Sequence, residues 1–198
     1  MSGEKNSLLT KSDFLKFGLC AAIIAIGIFA FLGFYTNNNN ILKILAYPDP
    51  VLRKVASPID RIDDNIISLS NDIITTLRYR TLVDFFTKTS IPRGLAAPQV
   101  GVSKRLVVCG LNGEIKVMVN PEILEREGTY HGQDDCMSVH QDDNTIIKRS
   151  AYVKLRYKGL DNRERTITAR NRKAALLEHE IDHLNGVLNI DYQDITNR

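Results

Sequence analysis

The sequence predicts an α+β fold, with antiparallel strands between an early helix and a final helix. Three observations predict it. Apolar residues recur at three- and four-residue steps after Asp64, which indicates a half-buried helix to about residue 80. Two pairs of strand-like segments follow, and the first pair is joined by Asn112-Gly113, a strong hairpin-turn signal. A final helix is predicted over about 171–185, with Gly186 placed to end it.

Length and composition limit the classes of protein that fit. The 198 residues suit one domain with a short appendage, and 25% charged with 43% hydrophobic residues is typical of a globular chain. The net charge of +3 includes no run of five or more basic residues, so no direct nucleic-acid binding is expected. The three cysteines, Cys20, Cys109 and Cys136, are irregularly spaced, which argues against a disulfide framework.

The N-terminal region differs from the rest of the chain. Residues 17–35 carry no charge, and a helix of that length crosses most of the hydrocarbon core of a bilayer. No small-x-small cleavage site follows, so a retained membrane anchor is favoured over a secretory signal peptide. The predicted organisation is a polar segment over 1–16, a transmembrane or signal-anchor helix over 17–35, a linker over 36–43 and a catalytic domain over 44–198. Basic residues flank the span on both sides and give no orientation.

The final helix contains the motif His179-Glu180-Ile181-Asp182-His183. Residues four apart lie one turn above each other on a helix, so both imidazoles can bind one ion. Glu180 can then accept a proton from a water molecule beside that ion. An exposed charged helix is the alternative. The apolar residues at 174–177 disfavour it, because they indicate a half-buried helix.

A catalytic site of this kind needs a third protein ligand. Downstream of His183, the only carboxylates are Asp191 and Asp194, and both remain candidates. Cys136 is favoured, since a thiolate is a strong ligand and a lone cysteine among polar residues is hard to explain by core packing.

Three segments together resemble the motifs of the peptide deformylase family. Residues 94–101 (GLAAPQVG), Cys136-Met137-Ser138 and the helical motif follow the order and approximate spacing of G-x-G-L-A-A-x-Q, E-G-C-L-S and H-E-x-D-H. The resemblance covers about residues 44–192. The chain departs from the pattern at Pro92, Arg93 and Asp135.

The resemblance implies a fold and a set of roles. Similar proteins have antiparallel sheets packed around the H-E-x-D-H helix. By similarity, one divalent ion, with Fe²⁺ favoured over Zn²⁺, is held by Cys136, His179 and His183. Glu180 serves as general acid and base, while the Gln99 amide and the Met137 backbone N–H stabilise an oxyanion. Four residues are expected to bind substrate: Gly94, Leu95, Arg149 and Leu176.

The implied reaction is removal of the N-formyl group from the N-terminal Met of newly made polypeptides, with release of formate. Expected partners are formylmethionyl nascent peptides, the ribosome and a lipid bilayer at residues 17–35. Formyl-Met initiation places the catalytic domain in a bacterial cytosol, a mitochondrion or a plastid. Two alternatives stay open: a membrane-anchored metal-binding module without deformylase activity, and an H-E-x-x-H metallopeptidase with another third ligand.

Overall fold

The computed structural model describes residues 40–87, 94–139 and 146–192, with the isolated positions 27, 30 and 33; the side chains of 84–87 are not described. The chain divides into two compact units, Met1–Asn40 and Ile41–Arg198. The predicted membrane helix over 17–35 lies outside the described residues except at those three isolated positions, which are helical. Within the described ranges, no helix has the length and apolar character needed to cross a bilayer.

The second unit contains two α-helices and seven β-strands among its described residues. A long helix comes first, each of the seven strands pairs with at least one of its neighbours in the chain, and the second helix follows the last strand. Their bounds are α1 Asp64–Thr87, β1 Gly94–Ala96, β2 Leu106–Leu111, β3 Glu114–Glu127, β4 Tyr130–Gln133, β5 Ile146–Arg149, β6 Tyr152–Lys158, β7 Glu164–Arg170 and α2 Arg172–Leu184.

The strands form two antiparallel sheets. Five strands pair in the order β1-β2-β3-β6-β7, while β4 and β5 form a separate two-stranded sheet. Asn112 and Gly113 have positive φ angles of 54° and 82° between β2 and β3, as the predicted hairpin turn requires. The predicted α+β class with antiparallel sheets is therefore confirmed.

Both faces of the five-stranded sheet are covered by a helix. On β2, Leu106 and Val108 pack with residues of α1, whereas Val107 and Cys109 pack with residues of α2. A strand buried on both faces reads as a continuous apolar run, and this explains the LVVC sequence. Burial on two sides keeps the central strands away from water.

The first helix begins where the sequence indicated. The Asp63 side chain accepts a hydrogen bond from Ile66 N at 3.0 Å, so Asp63 rather than Asp64 caps the helix. Within the predicted apolar stripe, Ile73 and Leu77 are buried, and the other members are partly buried. The helix continues to Thr87, beyond the predicted end near residue 80.

The second helix presents one face to the sheet and a neighbouring face to the functional groups. Ala174, Leu177, Ile181 and Leu184 recur at three- and four-residue steps and are buried against the sheet. The chain leaves the helix at Gly186, whose φ is +72°. A side chain at Gly186 would also lie 2.5 Å from the Arg53 carbonyl oxygen, so glycine is required there on both grounds.

Candidate metal centre and active-site cleft

Three predicted ligands converge beside the C-terminal half of α2. The Nε2 atoms of His179 and His183 are 3.1 Å apart, and Cys136 Sγ lies 3.4 Å from His183 Nε2. All three donor atoms lie within 4.8 Å of one another. With metal–nitrogen distances of about 2.0 Å and metal–sulfur distances of about 2.3 Å, tetrahedral ligands are roughly 3.3–3.5 Å apart. The spacing fits one shared ion.

The chemistry of the three donors also fits a metal ion. His179 and His183 are buried, and Cys136 is half-buried. Three lone-pair donors facing one point repel each other unless a cation or a proton lies between them. Asp191 is engaged elsewhere, because its carboxylate forms an ion pair with Arg53 and accepts a hydrogen bond from Leu188 N. Asp194 lies outside the described residues.

Asp134 orients one of the imidazoles. Its Oδ1 contacts His179 Nδ1, and its Oδ2 accepts a hydrogen bond from Arg149 Nε at 2.6 Å. Burial opposes ionisation of this carboxyl group, but the contacts with His179 and Arg149 outweigh burial and lower the Asp134 pKa. Because Asp134 engages Nδ1, the lone pair of His179 Nε2 faces the other two ligands.

Arg149 lies behind the candidate metal centre, whereas the family resemblance implies that it binds substrate. The guanidinium is almost fully buried, and it also donates to Asp182 Oδ2 at 2.5 Å and to the Tyr192 hydroxyl at 3.2 Å. It does not line the cleft. The Arg149 guanidinium can be buried here because the carboxylates of Asp134 and Asp182 neutralise its charge. Burial lowers the Arg149 pKa, but attraction by these two carboxylates outweighs burial and raises it.

Glu180 is buried beside the three ligands and keeps one free oxygen. Its side chain packs against Gly94, and a β-carbon at that position would overlap the carboxylate. In the described part of the chain, nothing donates a hydrogen bond to Glu180 Oε2. Burial raises the Glu180 pKa to about 7 in the metal-free chain. A carboxyl group with this pKa can both accept and release a proton at neutral pH.

Gln99 presents its amide nitrogen toward the same site. Its Oε1 accepts a hydrogen bond from Ala96 N at 2.9 Å, which fixes the orientation of the amide. Nε2 then donates to Ser138 Oγ at 3.2 Å and lies 3.9 Å from Cys136 Sγ. Gln99 is also 2% exposed, so packing holds its side chain in place.

The backbone N–H of Met137 is not paired with another part of the described backbone. Among the residues that the structure describes, no backbone carbonyl accepts a hydrogen bond from it. Met137 lines the same cleft as Gln99 and Glu180. One side-chain donor and one backbone donor are therefore both available at the cleft.

The cleft has a volume of about 290 Å³ and passes the metal centre. Gly94 and Leu176 line it, as expected of substrate-binding residues. The Leu95 side chain does not line it, because it is fully buried in the cluster that packs α1 on the sheet. Only the backbone of Leu95 can therefore meet a ligand, and β1 lies at the edge of its sheet in the strand order.

The family model of polypeptide deformylase matches residues 41–198. The chain belongs to the polypeptide deformylase family. The peptide deformylase of Alkalilimnicola ehrlichii is 39% identical over 159 residues, which cover 77% of this chain and 82% of that protein. The peptide deformylase of Desulfotalea psychrophila is 37% identical over 158 residues and covers 77% of this chain and 87% of that protein.

Solved peptide deformylases share the fold. The Legionella pneumophila enzyme is 34% identical with a TM-score of 0.66, covering 80% of this chain and 89% of that chain. The Synechococcus elongatus enzyme in complex with actinonin is 29% identical with a TM-score of 0.66, covering 81% of this chain and 82% of that chain. An Acinetobacter baumannii peptide deformylase bound to Met-Ala-Ser is 26% identical with a TM-score of 0.66, covering 77% of this chain and 98% of that chain.

Polypeptide deformylases are metal-dependent hydrolases, and this member carries supporting residues that were not predicted from the sequence. Asp134 stands where the E-G-C-L-S motif has Glu, and its carboxylate links His179 to Arg149. Glu178 was not singled out, and it accepts hydrogen bonds from Ser150 N at 2.7 Å and from Arg126 Nε at 2.9 Å. An acidic residue inside a half-buried helix was the available signal, because such a carboxylate requires partners.

Proposed function

We propose that this deformylase-family chain removes the formyl group from N-formylmethionyl peptides, releasing formate and a free N-terminal Met. One observation carries the proposal: the donor atoms of Cys136, His179 and His183 lie within 4.8 Å of one another beside a buried carboxylate, Glu180. Two hydrogen-bond donors, on Gln99 and Met137, belong to the same cleft.

We propose that the three converging residues hold one divalent metal ion. When bound, the metal would lower the pKa of water and polarise the formyl carbonyl. A mixed thiolate and imidazole donor set accepts Fe²⁺ and Zn²⁺ alike. The family resemblance favours Fe²⁺ as the native ion.

Glu180 is proposed as the proton-transfer residue. Its free Oε2 accepts the proton of the attacking water, and the same carboxyl group then protonates the leaving amine. A formamide has a poor leaving group, so this second transfer is needed for C–N cleavage. Burial raises the Glu180 pKa in the metal-free chain and so favours the protonated carboxyl group that the second transfer requires.

Gln99 and Met137 are proposed to stabilise the developing oxyanion. Gln99 Nε2 is held toward the site by the Ala96 N–H, and the Met137 N–H has no backbone acceptor in the described chain. Each such donor contributes about 3 kcal/mol to transition-state stabilisation in comparable hydrolases. Both donors are preorganised, so little reorganisation accompanies the reaction.

The peptide is proposed to lie along the cleft beside β1. An extended peptide can add to a free strand edge through backbone hydrogen bonds, which gives Gly94 and the Leu95 backbone a binding role. Leu176, half-buried on the cleft wall, offers apolar contact for the Met side chain. Arg149 is proposed to act indirectly, by holding Asp134 against His179.

The test is a product analysis on the full chain reconstituted anaerobically with Fe²⁺. Formyl-Met-Ala-Ser should yield formate and intact Met-Ala-Ser, and the acetyl-Met analogue serves as the matched control. Cleavage between Met and Ala would indicate a metallopeptidase instead. Absence of any product, with one metal bound per folded chain, would indicate a binding module without this activity.

We further propose that residues 17–35 anchor the protein in a membrane, with the catalytic domain in a bacterial cytosol or inside a mitochondrion or plastid. The support is a nineteen-residue segment without charge and the location of formyl-Met initiation. The catalytic domain would bind nascent chains at the ribosome.

Two experiments test the anchor and the compartment. Carbonate extraction should leave the protein in the membrane pellet, and protease added outside intact cells or organelles should spare residues 44–198. Release by carbonate would contradict the anchor, and external digestion would contradict the compartment.

A further inference from the structure

Two cations lie at the N-terminal end of α2, within the lining of the catalytic cleft. Arg172 and Lys173 are both exposed and both line the cleft that contains His179 and Glu180. Arg172, Leu176 and His179 are separated by four and three residues, so they lie on one face of the helix. The row runs from a charged end, past an apolar side chain, to the metal centre.

No carboxylate neutralises these cations in the described part of the chain. Arg172 has no ion-pair partner there, and Lys173 Nζ donates to the neutral Asn112 Oδ1 at 2.5 Å. Glu114, next to the same hairpin turn, is paired with Lys116 at 2.9 Å.

Three acidic residues line the same cleft. Asp134 is paired with Arg149 and contacts His179, and Glu180 is buried beside the ligands. Asp135 is exposed and adjoins Cys136 in the chain. Arg172 and Lys173 adjoin each other at the N-terminal end of α2, which therefore presents two positive charges to the cleft.

The distance along α2 between Arg172 and His179 determines which residue of a bound peptide lies near the positive charge. Arg172 precedes His179 by seven residues, which is about 10 Å at 1.5 Å per residue. An extended peptide advances about 3.3 Å per residue, so about three residues cover that distance. A peptide whose formyl group lies at the metal centre and whose Met packs on Leu176 brings its third residue close to Arg172.

We propose that Arg172, assisted by Lys173, selects formylmethionyl peptides with an acidic side chain at the third residue, counting Met as the first. This inference rests on the proposed deformylase function and deepens it by naming a substrate class. The interaction joins solvent-exposed charges, so it changes the preference among substrates without being required for turnover.

The test compares two peptides amidated at the C-terminus, formyl-Met-Ala-Glu-Ser and formyl-Met-Ala-Gln-Ser. Amidation removes the terminal carboxylate, which would otherwise add a second anion. The wild-type enzyme should show about a three- to fivefold higher kcat/KM for the Glu peptide at low salt, as expected for an exposed ion pair. This ratio should shrink toward one in 0.5 M salt, where the screening length falls to about 4 Å.

Substitutions assign the preference to its residue. Arg172→Gln should bring the ratio close to one, and Arg172→Glu should reverse it. Arg163→Gln is the matched control, because Arg163 is an exposed arginine in the β6–β7 connection that does not line the cleft; its ratio should equal that of the wild type. Equal turnover of both peptides by the wild type, or a preference that survives both Arg172 variants, overturns the proposal.

A measurement of peptide binding tests the preference for an acidic third residue independently of deformylase activity. Failure to release formate from either peptide would count against the proposed function. Calorimetric titration of the metal-loaded protein with Met-Ala-Glu-Ser and Met-Ala-Gln-Ser amides would then still decide the preference. Tighter binding of the Glu peptide, lost in Arg172→Gln, supports it, and equal affinities refute it.

Discussion

The Glu180 side chain lies directly against the α-carbon of Gly94, so closely that a β-carbon on Gly94 would lie 2.8 Å from Glu180 Cγ and closer still to the carboxylate. The strand β1 thus fixes the position of the proposed proton-transfer group on α2. Glycine is required at position 94 because the Glu180 side chain leaves no space for a β-carbon. Backbone conformation is not the reason, since the φ angle of Gly94 does not lie in the left-handed region.

Gly94→Ala is therefore expected to displace Glu180 without disturbing the metal ligands. A misplacement of about 1 Å can lower kcat about 100-fold. Steady-state kinetics of the metal-loaded variant provide the measurement, and metal analysis should still give one ion per chain. Activity within a factor of three of the wild type would contradict this account of Gly94.

Glu180→Gln keeps the size of the side chain and removes its capacity to carry the proton. Loss of general acid–base catalysis should lower kcat by about 10²- to 10⁴-fold. Single-turnover formate release and metal content measured on the same sample separate chemistry from metal loss. Near-normal turnover with full metal content would assign the proton transfer to another group.

Gln99→Ala should lower kcat by about 10²- to 10³-fold, with a smaller change in KM, because the lost donor acts on the transition state. Ser138→Ala is the matched control: it removes the hydroxyl that Gln99 Nε2 contacts at 3.2 Å but leaves the Ala96 N–H that orients the amide. Ser138→Ala should retain most activity. Comparable losses in both variants would assign the effect to packing.

Asp134→Asn should weaken metal binding by about 10- to 100-fold, since the residue behind a histidine ligand sets its orientation and basicity. Competition with a chelator measures the affinity. Asp135→Asn, one residue away and exposed, is the control and should keep wild-type affinity. An unchanged affinity in Asp134→Asn would show that the contact with His179 does not support the metal.

Cys109 should behave as an inert thiol. Burial raises the pKa of Cys109 from 9.0 to about 12. The folded thiol thus stays protonated where the unfolded thiol ionises, so the free energy of unfolding should fall as pH rises from 9 toward 12. Cys109→Val lacks this group and should show a smaller fall in urea titrations. At pH 8, iodoacetamide should modify Cys109 only after unfolding; rapid modification of the native chain would contradict the burial.

The convergence of the three candidate metal ligands was predictable from sequence because its signals are local. The spacing of His179 and His183 on one helix fixes two ligands by geometry alone, and Cys136 stood out as a thiol among polar residues. The hairpin at Asn112-Gly113 was predictable for the same reason, since turn chemistry acts over two residues.

Features that depend on tertiary contacts were not predictable. Arg149 was expected at the substrate, yet it is buried with Asp134 and Asp182. Asp134 follows β4 and Asp182 lies on α2, so both meet Arg149 only after these elements pack with β5. The Leu95 side chain faces the α1 side of the sheet, so the substrate contact expected of Leu95 can involve only its backbone. Strands β1, β4 and β5 are three or four residues long, too short for a periodic pattern to identify them.

The central claim is tested most directly by the number of metal ions bound per chain in Cys136→Ser, beside Cys109→Val as the matched cysteine control. We predict about one ion per chain in the wild type and in Cys109→Val, and almost none in Cys136→Ser, because a hydroxyl replaces the thiolate that meets His179 and His183. A Cys136→Ser protein that keeps one tightly bound ion and still releases formate would contradict this assignment of the metal centre.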